Sequence, residues 1–410
     1  WDEAVYLQHA EIMVGLHPNN FNEFDFRPPL LPLILGIALR IWHSVVIAHF
    51  VISLFSAIGI LLIFRLAQVL FSDNKIALLS SLIFMLNPLE ISLAHTIMVD
   101  PLVPVMWCTT ILTLLLSLKS EDLKYYILSG IMLALSILLK FTSILLFGLV
   151  ILICLILKWG DLKHFFLSKK FLTLILSFSL TISPYLILSQ VLFGSFLHPF
   201  LKAHQIIEWS IPSDPYLYLI KFPELFPIPF LLGIFLFFLY SFKFRRIEKS
   251  DILLLCCILI PFLSAQSIAH KEIRYLSPLI PFLSIIAAKG FVYFGKLIEK
   301  KGKMLYSYAL GVAVIFTIAI WITWNTTTFL SLKNLQLVVY ATDPVYEASL
   351  WIKESSPPDT LIYTNFNYPV IAYYSYRKVR ILPLAYSLSL IHISEPTRPL
   401  YISYAVFCLK

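Results

Sequence analysis

Apolar stretches long enough to cross a bilayer recur along this chain, and nothing else in it limits the fold as strongly. They run over 30–71, 76–95, 97–118, 125–157, 171–194, 225–242, 252–269, 275–295 and 304–324. A spanning helix needs roughly 20 mostly apolar residues, because the hydrocarbon core offers the backbone no water to bond. Arg40, His43 and His49 interrupt the first stretch, which suggests an interfacial segment at 30–42 ahead of a span at 44–71. The fourth is long enough for two passes, with Lys140-Phe141-Thr142-Ser143 at their turn. Pro184, Pro261, Pro278 and Pro281 fall inside these stretches, which membrane helices tolerate when neighbours re-satisfy the backbone. Of the 410 residues, 59% are hydrophobic and only 13% charged, where a soluble domain carries about 25% charged residues. A soluble fold would have no surface left to dissolve in. The expected class is an all-α polytopic membrane bundle of about ten spanning helices.

Charge sets the orientation. Lys75, Lys119, Lys124, Lys158, Lys163, Lys169, Lys170, Lys243, Arg245, Arg246, Lys249, Lys296, Lys300, Lys301 and Lys303 all fall in every second connection. The positive-inside rule places that face in the cytoplasm. The net charge of +8 is therefore a topology signal, and it requires no nucleic-acid partner. Cys108, Cys154, Cys256, Cys257 and Cys408 sit among apolar residues without metal-ligand spacing, and read as small buried hydrophobes.

The opposite face holds the unusual connections. Residues 1–29, expected as a first outer loop, carry Asp2, Glu3, Glu11, Glu23, Asp25 and Arg27. Residues 195–224 carry His198, Lys202, His204, Glu208, Trp209, Asp214 and Glu224. Charges gathered at one membrane boundary suggest a site facing outward. After residue 324 the composition changes: 346–354 reads as an amphipathic helix stopped by Ser355 to Asp359, and TLIYTN and KVRIL read as strands. Three domains are expected: a membrane domain over 1–324, an extracytoplasmic α/β unit over 325–386, and a tail over 387–410. Within that tail, LSLIHISEPTRP at 388–399 resembles translated sequencing adapter. Asn325-Thr326-Thr327 matches a glycosylation acceptor, a pattern weak by itself.

Four outward patches carry chemistry: Trp1-Asp2-Glu3 with Phe26-Arg27-Pro28-Pro29-Leu30; His95 through Asp100-Pro101; Leu139-Lys140-Phe141; and His270-Lys271-Glu272-Ile273-Arg274-Tyr275. Asp100 directly before Pro101 also suits a helix N-cap. In order, spacing and sidedness the patches resemble the membrane glycosyltransferases of the GT-C class, especially the protein O-mannosyltransferase and lipid A aminoarabinose transferase group. The resemblance covers about residues 1–385, and implies that a first membrane helix belongs upstream of the opening Trp1. It matches the family's acidic motif to Asp2-Glu3, its second acid to Asp100, its lysine to Lys140 and its Arg-Tyr-x-x-Pro segment to Arg274 through Pro278. Phe26-Arg27 stands where some members have Glu-Lys, so a metal site using that Glu is not carried over. A divalent metal ion is left open as a cofactor.

Sugar transfer from a polyprenyl-phosphate donor needs a base for the acceptor hydroxyl and cations for the departing phosphate. Asp2 is the candidate base, Glu3 orients its loop, and Asp100 shares the role or positions the acceptor. Arg27, Lys140, Lys271 and Arg274, with Tyr275, are the candidate phosphate holders. His95 and His270 read as hydrogen-bonded helix-end residues before metal ligands. The expected protein is an inverting, multi-pass cell-membrane enzyme facing outside, with a lipid, glycan or protein acceptor. A transporter is the alternative; the chain shows no internal repeat, and its acids lie in outer connections rather than mid-membrane.

Overall fold

A computed structural model describes residues 2–17, 26–209, 212–244, 247–299, 344–364, 367–381 and 406–408. The apolar stretch at 304–324, the acceptor pattern at Asn325, Trp1, Glu23, Asp25, and residues 387–405 of the tail lie outside the described residues. Nearly everything described is helix. The elements are α1 Asp2–Met13, α2 Leu30–Ile41, α3 Val45–Phe71, α4 Asn74–Met85, α5 Pro88–Leu93, α6 Leu102–Ser120, α7 Leu123–Leu139 and α8 Ile144–Leu157. There follow α9 Leu162–Phe166, α10 Lys169–Phe193, α11 His198–Trp209, α12 Leu217–Leu225, α13 Ile228–Phe244, α14 Lys249–Ser267 and α15 Ile280–Glu299. The C-terminal part holds α16 Pro344–Ser355, α17 Tyr368–Ser375 and strands β1 Leu361–Thr364, β2 Lys378–Ile381 and β3 Val406–Cys408.

Among the described residues, five helices are long and apolar enough to cross a membrane, or seven if two sharply bent pairs each count as one span. The shorter apolar helices are α2, α4 and α7. Breaks fall where the sequence interrupts its apolar runs: α2 ends at Ile41 ahead of α3, and Lys140 separates α7 from α8. Lys140 takes an extended conformation (φ −150°, ψ 119°), which no helix can continue through. Residues 1–29, expected as an outer loop, contain helix α1. Its charges suggested a loop, but Ala4, Val5, Leu7 and Ala10 are buried, and that packing outweighs a polar surface.

The chain divides into two compact units, one formed by residues 1–22, 31–48 and 325–410 and the other by 23–30 and 49–324. In the first, Ile352, Ile362 and Ile371 form a small core, with Val345 and Val379 packed against it. Strand β1 pairs in parallel with β2 and antiparallel with β3. The strand order is β2-β1-β3.

In the second unit, α13 and α15 approach to backbone contact. A Cβ on Gly290 would collide with the Gly233 carbonyl oxygen, and one on Gly233 would sit 2.6 Å from the Ala287 carbonyl oxygen. Small residues at such crossings let membrane helices touch. Lys289 interrupts the apolar run beside this crossing. Its ammonium lies 2.6 Å from Asp251 and 3.2 Å from Glu248, and 4.2 Å above the Phe71 ring. Lys289 and Asp251 are 2% and 1% exposed. A buried pair this complete is unforgiving of losing one partner, because the other charge is stranded. Asp251→Ala is expected to cost ~3–5 kcal/mol in unfolding, and the double change Lys289→Met with Asp251→Leu to recover most of it. Thermal unfolding of the three purified proteins measures this; equal loss in the single and double variants would refute it.

Candidate active site

Three connections of the second unit meet around Asp100. Here the structure corrects one expectation: Asp100 does not cap α6. Pro101 takes the cap position without a side-chain hydrogen bond. The Asp100 carboxylate instead receives Lys140 Nζ at 2.7 Å, and the Arg274 guanidinium stands 3.8 Å away. A helix N-terminus offers half-satisfied amide dipoles, whereas Lys140 offers a full charge at contact distance in a poorly solvated place. The ion pair wins. Ser277 fixes the loop by donating to the Asp100 carbonyl at 3.2 Å.

Glu272 is the hub that the sequence reading did not single out. Its carboxylate is ion-paired with Arg274, Nε standing 2.5 Å away, and it receives Arg274 Nη2 at 3.1 Å, His270 Nε2 at 3.2 Å and the Tyr275 hydroxyl at 3.4 Å. Burial raises its pKa, but the bonds and charges of Arg274, followed by His270, hold it below the ordinary carboxylate value. The only hint in the sequence was an acid two residues before the motif arginine.

An apolar cavity of about 190 Å³ opens beside this cluster, lined by Phe26, Pro28, Trp107, Phe141, Leu145 and Tyr275 among others, with Lys140 in its wall. The Lys140 ammonium also stands 5.1 Å from the Tyr275 ring centroid, within cation–π range. Trp107 donates to Ser143 at 3.0 Å and so pins the turn that carries Lys140. The site thus combines an apolar chamber with a cationic head group at its edge.

The profile of the dolichyl-phosphate-mannose-protein mannosyltransferase family matches residues 26–188, the segment holding Arg27, Asp100 and Lys140. The fold is similar to that of ArnT from Cupriavidus metallidurans bound to undecaprenyl phosphate, at 15% identity and TM-score 0.69, over 97% of this chain and 84% of that one. The chain thus matches that family's model over part of its length and shares the fold of these membrane glycosyltransferases. The Archaeoglobus fulgidus oligosaccharyltransferase in its apo form is similar too, at 13% identity and TM-score 0.63, over 93% of this chain but only 60% of that one. The archaeal oligosaccharyltransferase AglB from Archaeoglobus fulgidus, in complex with an inhibitory peptide and a dolichol-phosphate, gives 14% identity and TM-score 0.60, over 87% and 54%. No curated protein matches the chain by sequence.

The other expected site residues are placed as follows. Lys271 turns its ammonium to the Ile268 carbonyl at 2.6 Å, at the C-terminal end of α14, where a cation suits the helix dipole. Its backbone is clamped from both sides by the Ser213 hydroxyl. The Arg27 guanidinium lies 5.3 Å from the ring centroid of Phe26, itself a cavity-lining residue. Asp2 and Glu3 form the first turn of α1 in the other unit, where acidic side chains suit the positive end of a helix. His95 bonds the Ile91 carbonyl at 3.2 Å, as a helix-end histidine does. Among the described residues, no three His, Cys, Asp or Glu side chains gather as a metal site.

Because the folded Glu272 carboxyl titrates below the ordinary carboxylate value of 4.5, its links stabilise the protein fully above that pH. The contribution disappears as pH falls through the lower folded value. The stability gap between the wild type and Glu272→Gln is therefore expected to be constant near neutrality and to close as the pH falls below 4.5. Unfolding titrations of both proteins across that window check this.

Proposed function

We propose that the protein transfers a sugar from a polyprenyl-phosphate donor to a hydroxyl acceptor on the extracytoplasmic face, inverting the anomeric carbon. The observation that carries this reading is Lys140 at the wall of an apolar cavity, beside Arg274 and Asp100. A lipid-linked sugar has the complementary form, with an anionic phosphate at the end of a hydrocarbon tail. The undecaprenyl phosphate on ArnT and the dolichol-phosphate with AglB, proteins of similar fold, support the same donor class.

In the proposed reaction the acceptor oxygen attacks the anomeric carbon while the bond from that carbon to the phosphate oxygen breaks. Polyprenyl phosphate leaves with the bonding pair, and the acceptor proton passes to the Asp2 carboxylate. Lys140 and Arg274 hold the phosphate as its charge grows; a guanidinium meets phosphate oxygens two at a time. Tyr275 and Arg27 border the donor site, and Asp100 positions Lys140 and the acceptor. Glu3 orients the segment that bears the base. A single displacement of this kind inverts the anomeric centre. The basic residues in every second connection support this orientation, with their own face in the cytoplasm and the site on the other.

Asp2→Asn keeps size and hydrogen bonding but removes the base, and is expected to lower turnover about 100-fold or more with donor binding little changed. Lys140→Met is expected to weaken donor binding by about 10-fold or more, the scale of one charged hydrogen bond. Glu3→Gln should be milder than Asp2→Asn, and Asp100→Asn intermediate. Transfer from radiolabelled lipid-linked sugars by the full-length enzyme, with donor binding measured separately, checks all four. Near-normal transfer by a well-folded Asp2→Asn enzyme would pass the base role to Asp100.

A further inference from the structure

Glu11 lies in the last turn of α1 with its side chain wholly buried. One of its oxygens, Oε1, accepts from two distant places at once: His43 Nε2, just beyond α2, at 2.8 Å, and the Tyr373 hydroxyl on α17 at 3.0 Å. Burial, then the nearby Glu11 charge, pushes Tyr376 up to about 12 and Tyr373 well above its ordinary value, so both phenols keep their protons.

Tyr376 is itself held against its preference. Its φ of 54° is left-handed, a conformation that residues with a Cβ seldom adopt. Arg377 anchors that turn by donating to the carbonyls of Lys353 and Ser375 and to the Ser356 hydroxyl. His17, four residues beyond α1, stacks on the Tyr376 ring at 4.9 Å. The Lys353 ammonium stands 4.3 Å from that ring's centroid. A leucine at position 11 would fill the same space without desolvating a charge. What the carboxylate adds is direction: it fixes the rotation of α1 against α17.

Nine residues separate Glu11 from Asp2, roughly 13 Å along one rigid helix. A rotation or slip at Glu11 therefore reaches Asp2 undiminished. We propose that Glu11 is a positioning residue, latching the helix that carries Asp2 and Glu3 onto Tyr373 of the C-terminal α/β segment. This rests on the proposed role of Asp2, and it assigns that segment a part in aligning the base.

The test uses the full chain with three variants, Tyr373→Phe, Glu11→Gln and both together, alongside Asp2→Asn. Amide hydrogen exchange along α1 is measured together with turnover of undecaprenyl-phosphate-linked radiolabelled hexoses and pentoses. Each single variant is expected to speed α1 exchange about 10-fold, the scale of one hydrogen bond to a charged group, and the double variant little more. Turnover should fall about 10-fold or more with KM for the lipid donor within about twofold, because misaligned groups lose rate before binding. A general loss of stability would instead raise exchange throughout the bundle and leave the kinetics of the folded fraction unchanged. Tyr373→Phe removes a single hydroxyl and keeps the test decisive if Glu11→Gln does not fold. Unchanged α1 exchange, or faster exchange with unchanged turnover, overturns the latch. Normal turnover in Asp2→Asn overturns the base assignment instead, and the α1 exchange then still reports whether the latch exists.

Discussion

A charge inside an apolar helical bundle must find its opposite, and the partners it finds determine which segments are bound together. Water cannot compensate it, and leaving it alone costs several kcal/mol. In this chain the partners lie far apart in sequence. Lys140 reaches back 40 residues to Asp100, and Lys289 reaches 38 residues to Asp251. Glu11 meets a tyrosine 362 residues away. Leucine-rich helices can slide over one another at little cost, since one aliphatic surface resembles another. An ion pair permits one register, so these few contacts give specificity to packing that is otherwise permissive.

That division explains what could be read directly. The breaks at Ile41 and Lys140 were legible because a polar residue in an apolar run is a local signal, visible without knowing its partner. So was the helix-strand alternation after residue 344, where turn residues mark each boundary. The pairings were not legible. Asp100 before Pro101 has the local form of a helix cap, and only Lys140, in another connection, shows that its carboxylate is engaged elsewhere. Glu272 looked like one more charge in a polar hexapeptide, although it gathers Arg274, His270 and Tyr275. Glu11 looked like a solvated acid, and its burial depends on Tyr373 near the other end of the chain. Lys289 was hidden by its own surroundings, because a single lysine inside a mostly apolar run still leaves a stretch that reads as roughly one span.

The resting charge of the cluster bears on what the site can select. Asp100 and Glu272 already face Lys140 and Arg274, two carboxylates against two cations. On the proposed reading an arriving phosphate therefore meets little net field, and gains mainly by taking over hydrogen bonds now made to a carboxylate. Glu272 is the more exposed acid, at 33% against 4% for Asp100, so its bonds to Arg274 are the easier ones to exchange. Exchange of one anion for another yields little affinity. The tail has to supply it, and burying hydrocarbon contributes about 0.8 kcal/mol per methylene. A soluble sugar phosphate has no such contribution to offer in a cavity lined by Phe26, Trp107, Phe141 and Leu145. On that reading the balanced cluster works as a filter: it gives the phosphate a place without attracting phosphates in general, and leaves the choice of donor to the lipid.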